Sequence, residues 1–168
     1  MIDHFERLGL PRRFSIDPAE VERLYLARSR ESHPDFHSLE SDDDQQEAIE
    51  RTASLNGAYT TLKDPYRRAD YLLGLLGGPT AGQEKSLDQS FLMEMMETRE
   101  RMDEIRESAG DLRELELDLE RQLGEVLADV GGRFEAENSE LAAIRRRLNA
   151  AKTILSLLRD LRGTPDRS

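Results

Sequence analysis

The chain has 168 residues, of which 37% are hydrophobic and 35% are charged, and its net charge at neutral pH is −11. This length suggests one or two small domains. The similar shares of hydrophobic and charged residues are typical of thin helical bundles. The acidity argues against nucleic-acid binding, whose affinity comes from Lys and Arg on phosphates. The lack of cysteine excludes disulfides and thiolate metal sites. No stretch approaches the ~20 apolar residues of a membrane span, and MIDHFERLGL does not resemble a signal peptide, so we expect a soluble, cytoplasmic protein without membrane contact.

Residues 1–76 are predicted to form short helices, because no run of alternating β-branched residues indicates a strand. Asp17 and Pro18 are suited to the N-cap and first turn of one helix. Pro34 ends this helix, because the residue before a proline avoids the α conformation. Its inner face comprises Val21, Leu24 and Tyr25.

A second helix is predicted from about Asp44 to Lys63, where Asp64 and Pro65 break it. Its apolar face follows three- and four-residue spacing and comprises Thr52, Leu55, Tyr59 and Leu62. The two helices should form an antiparallel hairpin with His33-Pro34-Asp35 at its tip.

Residues 77–86, GGPTAGQEKS, have the composition of a linker. Residues 87–163 then show three apolar stripes, which predict a three-helix bundle with breaks near Gly110 and at Gly131-Gly132. The stripes are Phe91, Met95, Met102, Ile105 and Ala109; Leu112, Leu115, Leu119, Leu123, Val126 and Val130; and Leu141, Ile144, Leu148, Ala151, Leu155 and Leu158.

The helix that begins near Phe91 carries a second apolar face. At ~100° per residue, Leu92, Met93 and Met96 lie roughly 150° from its main stripe. One reading is that this face packs on the linker or on the N-terminal domain. The other is an exposed patch for a partner, for which adaptable Met side chains are suited. A second apolar face on the last helix, which includes Ile154 and Leu157, is expected to pack between two neighbouring helices, and self-association is the alternative that gives the same pattern.

A helical hairpin whose loop begins His33-Pro34-Asp35 resembles a J-domain, the module with which co-chaperones stimulate ATP hydrolysis in DnaK-type chaperones. Three further stretches are similar to one branch of J-proteins, the HscB co-chaperones of iron–sulfur cluster assembly. They are FERLGLPRRFSID at 5–17, LNGAYTTLKDPYRRADYLL at 55–73 and FLMEMMETRERMDEI at 91–105. The resemblance covers nearly the whole chain. It implies a J-domain over residues 1–76, a linker at 77–86 and a scaffold-binding domain over 87–163.

The resemblance implies two partners, an HscA- or DnaK-type ATPase chaperone and an IscU-type iron–sulfur scaffold. The residues that match the chaperone-binding positions are His33, Pro34, Asp35, Arg23 and Arg30. Those that match the scaffold-binding positions are Leu92, Met93, Met96, Glu97 and Glu100.

Two departures from the family pattern affect these surfaces. Phe36 stands where the family commonly has Lys, and Ala150 and Ala151 stand where a large apolar side chain is frequent.

The residues alone also allow purely structural interpretations of these motifs. The tripeptide is also what a simple helix stop requires, and two arginines on one helix are also typical of a solvated face. His33 and His37 are four apart, but Pro34 disrupts the helix that would align them, so we expect no metal and no cofactor. No nucleophile is marked out beside the His–Asp pair, so we expect no catalytic residues. The alternatives to an HscB-like co-chaperone are a J-protein with a different client and a non-catalytic helical interaction protein.

Overall fold

The computed structural model describes residues 2–31 and 42–163, and every regular element within those ranges is a helix, which confirms the predicted all-α fold class. Two compact units are present, Met1–Leu72 and Leu73–Ser168. No helix in the described ranges has both the length and the apolar character needed to cross a membrane. The helices are α1 (His4–Leu8), α2 (Pro18–Glu31), α3 (Asp42–Lys63), α4 (Pro65–Leu75), α5 (Gln89–Glu107), α6 (Arg113–Glu135) and α7 (Leu141–Leu161).

The N-terminal unit is built from α1, α2 and α3, which contact one another around a small apolar core. Tyr25 of α2 stacks on Tyr59 of α3 with ring centroids 4.1 Å apart, and its hydroxyl donates to Asn56 Oδ1 at 2.9 Å. The pairing of α2 with α3 predicted from the sequence is therefore present. The buried core residues of this unit include Phe5, Leu8, Val21, Leu55, Ala58, Leu62 and Ala69.

The predicted inner face of α3 was wrong at Thr52. This residue is exposed, and its hydroxyl donates to the carbonyl of Ala48 at 2.9 Å. The buried residues of α3 all lie in its second half and are Leu55, Ala58 and Leu62. Thr52 continues the helical spacing but lies one turn beyond the end of the core.

The C-terminal unit contains α5, α6 and α7, with α7 in contact with both of the others. This explains why α7 has two apolar faces, as the sequence indicated. The buried residues of α7 are Ile144, Arg145, Leu148, Ala150, Ala151, Ile154, Leu157 and Leu158.

Two predicted features of the bundle were wrong. The expected break at Gly131-Gly132 does not occur, and α6 continues to Glu135. Glycine costs a helix only ~1 kcal/mol per residue, and burial of Val126, Val130 and Gly131 against neighbouring helices outweighs that cost. Ala109, expected on the stripe of α5, is exposed with a φ of 52°, because α5 has already ended.

Residues 79–86, within the predicted linker, are attached to α7 through main-chain carbonyls. The buried Arg145 donates from Nε to the carbonyl of Pro79 at 2.7 Å. Asn149 Nδ2 donates to the carbonyl of Glu84 at 2.9 Å and approaches that of Ser86 at 3.4 Å. These bonds hold the segment along α7 as it leads into α5.

Candidate functional site

The predicted tip of the α2–α3 hairpin, His33-Pro34-Asp35, lies outside the described residues, as do Phe36 and His37. Its role therefore stays a prediction. The two arginines predicted to accompany it, Arg23 and Arg30, lie on α2 and are both exposed.

Arg23 and Arg30 share one side of α2. Seven residues at ~100° each return to within about 20° of the starting direction. Arg23 Nη2 is 3.7 Å from Glu20 Oε1 on the same helix, an exposed pairing that contributes little to stability. Both guanidinium groups are therefore accessible to a partner.

The opposite side of α2 is fixed in the N-terminal unit. Asp17 Oδ1 accepts from the Ala19 N–H at 2.9 Å and so satisfies one free donor of the first turn. Val21 is fully buried. Arg28 lies so close to Gly9, whose φ is 75°, that a Cβ there would be 2.8 Å from Arg28 Nη2. These contacts anchor the helix that carries the two arginines.

The second candidate surface is a face of α5 formed by Leu92, Met93, Met96, Glu97 and Glu100, here called the α5 face. Its three apolar side chains are 42%, 56% and 65% exposed, respectively, and both glutamates are exposed. The structure thus brings these five predicted residues together on one open face of a single helix. Within the C-terminal unit, this exposure contradicts the reading in which the apolar residues pack on the linker.

The buried side of α5 lies opposite this face and holds the helix in place. Met95 and Met102 are 5% and 1% exposed, and Met102 lies nine residues, or about 180°, from Met93. Arg106 donates to the carbonyl of Asp160 on α7 at 2.6 Å. Gln122 of α6 donates to Glu94 at 3.1 Å. The α5 face is therefore presented by a helix that is fixed to both of its neighbours.

Ala150 and Ala151 of α7 are 4% and 0% exposed. They add no large apolar side chain to the surface, in keeping with the departure noted in the sequence. Within residues 2–31 and 42–163, no three His, Asp or Glu side chains are grouped so as to hold a metal ion.

One feature of the C-terminal unit was missed by the sequence reasoning. Arg133 of α6 and Arg146 and Arg147 of α7 line a cleft of about 160 Å³. The run of three arginines at 145–147, inside a helix with two apolar faces, was a usable signal. Its significance depends on which side chains the packing of α6 on α7 brings together, and the sequence did not reveal this.

Two family models match the chain. The DnaJ domain matches residues 3–71, and the HSCB C-terminal oligomerisation domain matches residues 87–159.

Several curated proteins and solved structures are similar to this chain. The co-chaperone protein HscB of Proteus mirabilis is 40% identical over 108 residues, which are 64% of this chain and 62% of that protein. The HscB homolog of Vibrio vulnificus strain YJ016 is 34% identical over 152 residues, 90% of this chain and 82% of that protein. The first relatives thus align over somewhat less than two thirds of their own length.

Among solved structures, chaperone HscB from Vibrio cholerae has a TM-score of 0.81 at 31% identity, with 96% of each chain covered. The human co-chaperone protein HscB has a TM-score of 0.82 at 25% identity, with 95% of this chain and 80% of that chain covered.

Proposed function

Because this chain belongs to the HscB family of co-chaperones, we propose that it connects two partners. Its J-domain engages an HscA- or DnaK-type ATPase chaperone and stimulates ATP hydrolysis. Its C-terminal domain binds an IscU-type iron–sulfur scaffold and delivers it to that chaperone. The observation that carries this proposal is the open α5 face, because Leu92, Met93 and Met96 are large apolar side chains left exposed on a well-anchored helix.

The proposed chaperone contact uses His33-Pro34-Asp35 together with Arg23 and Arg30. Pro34 restricts the backbone, and the Asp35 carboxylate accepts charge-assisted hydrogen bonds from a partner's arginine. The arginines of α2 approach an acidic surface of the chaperone. Phe36 removes a positive charge from this surface, so we expect a weaker local contact than where Lys stands there.

ATP hydrolysis in this proposal takes place on the partner. The co-chaperone favours one conformation of the chaperone by binding it more tightly than the alternative. It needs no catalytic residue and no cofactor of its own. We assign residues 1–76 to the chaperone-binding J-domain and 87–163 to the scaffold-binding domain, and we place the protein in the cytoplasm.

The proposed scaffold contact is an apolar patch with an acidic rim. Met93 and Met96 supply flexible, polarisable side chains that adapt to a partner surface. Glu97 and Glu100, on the same side of α5, add charge that selects a partner with complementary basic groups.

The decisive experiment is steady-state ATP hydrolysis by the chaperone of the same organism, with this protein added in the presence or absence of the scaffold. Wild-type protein should stimulate hydrolysis, and scaffold and co-chaperone together should exceed the sum of their separate effects. Asp35→Asn should abolish the stimulation, because the neutral amide cannot make the charge-assisted bonds. Asp43→Asn, an exposed aspartate of α3, is the matched control and should behave as wild type.

Stimulation that survives Asp35→Asn would overturn the assignment of the tip. Stimulation without synergy from the scaffold would point to a J-protein with a different client. If the wild-type protein does not stimulate hydrolysis, His33-Pro34-Asp35 only ends a helix and has no role in chaperone binding.

The α5 face is tested separately by combining Leu92→Ala, Met93→Ala and Met96→Ala. We expect roughly a tenfold or greater loss of scaffold affinity by isothermal titration calorimetry, because about 1.4 kcal/mol of apolar contact corresponds to that factor. Leu117→Ala, at a side chain that is 57% exposed on α6, is the control and should bind normally. Unchanged affinity in the triple variant, with normal helical circular dichroism, would exclude the face as the scaffold site.

A further inference from the structure

Leu26 is a large apolar side chain on the outer side of α2, where it is 47% exposed. Its neighbours in sequence, Leu24 and Tyr25, are half-buried instead. At ~100° per residue, Leu26 lies about 60° from Arg23 and about 40° from Arg30 around the helix. Along the helix it lies between them. The exposed leucine is therefore flanked by the two arginines of the proposed chaperone surface.

The fold of the N-terminal unit does not use this side chain. Tyr25 makes the contact with α3, by stacking on Tyr59 and donating to Asn56, and Leu26 points about 100° further around the helix. A single exposed leucine is common on protein surfaces, so exposure alone implies no role. The position of Leu26 between Arg23 and Arg30 is what relates it to a partner.

The charges of α2 give this surface little electrostatic attraction. The helix carries three arginines and three glutamates, so its side chains have no net charge. Arg23 Nη2 is 3.7 Å from Glu20 Oε1, and Arg28 is half-buried beside Gly9. The whole chain has a net charge of −11, which opposes its approach to an acidic surface.

Exposed ion pairs contribute little to binding and are screened by salt. A leucine side chain that leaves water on binding contributes more than one such pair. Contacts between proteins commonly combine a buried apolar centre with a charged rim. Leu26 between Arg23 and Arg30 has this arrangement.

We propose that Leu26 is the apolar centre of the chaperone contact. It packs against an apolar side chain of the ATPase chaperone, and acidic residues around that side chain meet Arg23 and Arg30. This inference rests on the proposed function and adds to it the chemistry that the chaperone must present. A chaperone with a purely polar surface at that point is a poor partner, so Leu26 selects among ATPase chaperones.

The test is ATP hydrolysis by the chaperone of the same organism as the concentration of the full-length co-chaperone is raised. Leu26→Ala should increase the concentration for half-maximal stimulation about fivefold, because apolar contact area is lost. The maximal stimulation should stay at the wild-type level, because His33-Pro34-Asp35 is unchanged. Asp35→Asn, in contrast, should abolish the stimulation itself.

Salt separates the apolar contribution from the ionic one. The ratio of half-maximal concentrations between Leu26→Ala and wild type should be the same in roughly 50 mM and roughly 300 mM KCl, because salt screens charges and not apolar contacts. The corresponding ratio for Arg23→Gln should fall toward one at the higher concentration.

Three further variants of similar helix propensity serve as controls. Leu26→Met keeps a large apolar side chain and should stay within about twofold of wild type. Leu26→Lys adds a positive charge and should be impaired at least as much as Leu26→Ala. Leu117→Ala, on α6, removes an equally exposed leucine from the other unit and should behave as wild type. Circular dichroism should be the same for all of them, since alanine, methionine and lysine are good helix formers.

Wild-type behaviour of Leu26→Ala, while Asp35→Asn abolishes stimulation, would overturn this inference and leave the proposed function intact. An effect of Leu26→Ala that disappears at high salt would also overturn it. So would full activity of Leu26→Lys, since the contact would then be ionic. If the wild-type protein does not stimulate hydrolysis, the proposed function and this inference both fail.

Discussion

Asp3 is a buried carboxylate at the N-cap of α1, only 8% exposed. Its Oδ1 accepts from the Glu6 N–H at 2.9 Å, and its Oδ2 accepts from Arg12. Burial by itself raises the pKa of Asp3, but the hydrogen bonds from Glu6, Arg12 and Phe5 and the charge of Arg12 outweigh it and hold that pKa below its usual value. The ionised side chain therefore stabilises the folded N-terminal unit.

Replacing Asp3 should reveal this contribution through its pH dependence. A carboxyl group with a lowered folded-state pKa stabilises the fold fully above its unfolded pKa of ~3.9, and the effect is lost as the pH falls through the lower folded value. Asp3→Ala should reduce the free energy of unfolding by about 1–2 kcal/mol at pH 7 through loss of the cap. Urea titrations between pH 7 and pH 3 measure this.

Asp3→Asn is the matched variant, because its amide oxygen still accepts from Glu6 but carries no charge. Its deficit relative to wild type should shrink as the pH falls below the unfolded-state pKa of ~3.9 and through the lower folded-state pKa, because Asp3 is protonated first in the unfolded chain and only then in the fold. A deficit that stays constant from pH 7 to pH 3 would show that the charge of Asp3 does not contribute.

Helix α7 contacts both other helices of the C-terminal unit and also residues 79–86. It buries apolar side chains against both α5 and α6. Its Arg162, just past the last turn, pairs with Glu116 and Glu120 of α6. It also fixes residues 79–86 through Arg145 and Asn149.

Removing the side chain of Asn149 should release the 79–86 segment without unfolding the bundle. Asn149→Ala leaves the carbonyls of Glu84 and Ser86 without this donor, at a cost of about 1 kcal/mol in unfolding free energy. Lys85 is exposed within the segment, so trypsin should cleave after it several-fold faster in the variant. Asn138→Ala, at an exposed residue before α7, is the control. Equal cleavage rates for both variants would show that Asn149 does not restrain the segment.

Helical periodicity predicted where α2, α5 and α7 lie and which of their faces are apolar. It was wrong at Gly131-Gly132, because glycine is a weak helix breaker when its neighbours gain burial. It was also wrong at Thr52, because a regular spacing does not show where the core ends. Both errors arise from tertiary packing, which local sequence does not contain.

At the scale of the whole molecule, three long motifs were enough to identify the family from sequence, and the fold agrees with that identification. The α5 face was also predictable, because five residues on one helix need only helix geometry to be brought together. The cleft was not, since Arg133 and Arg147 belong to different helices and meet only through Asp129. A surface on one element can be predicted from a pattern, whereas a site made by two elements requires their packing.

The attachment of residues 79–86 to α7 has a consequence for how this protein tolerates sequence change. Arg145 and Asn149 bind the main-chain carbonyls of Pro79, Glu84 and Ser86, which every amino acid possesses. Substitutions within the segment therefore leave these attachments intact, whereas a change at Arg145 or Asn149 removes them. Substitutions between homologues should therefore accumulate in the segment and be rare at Arg145 and Asn149, and the exposed Lys85 is a suitable position for a reporter label.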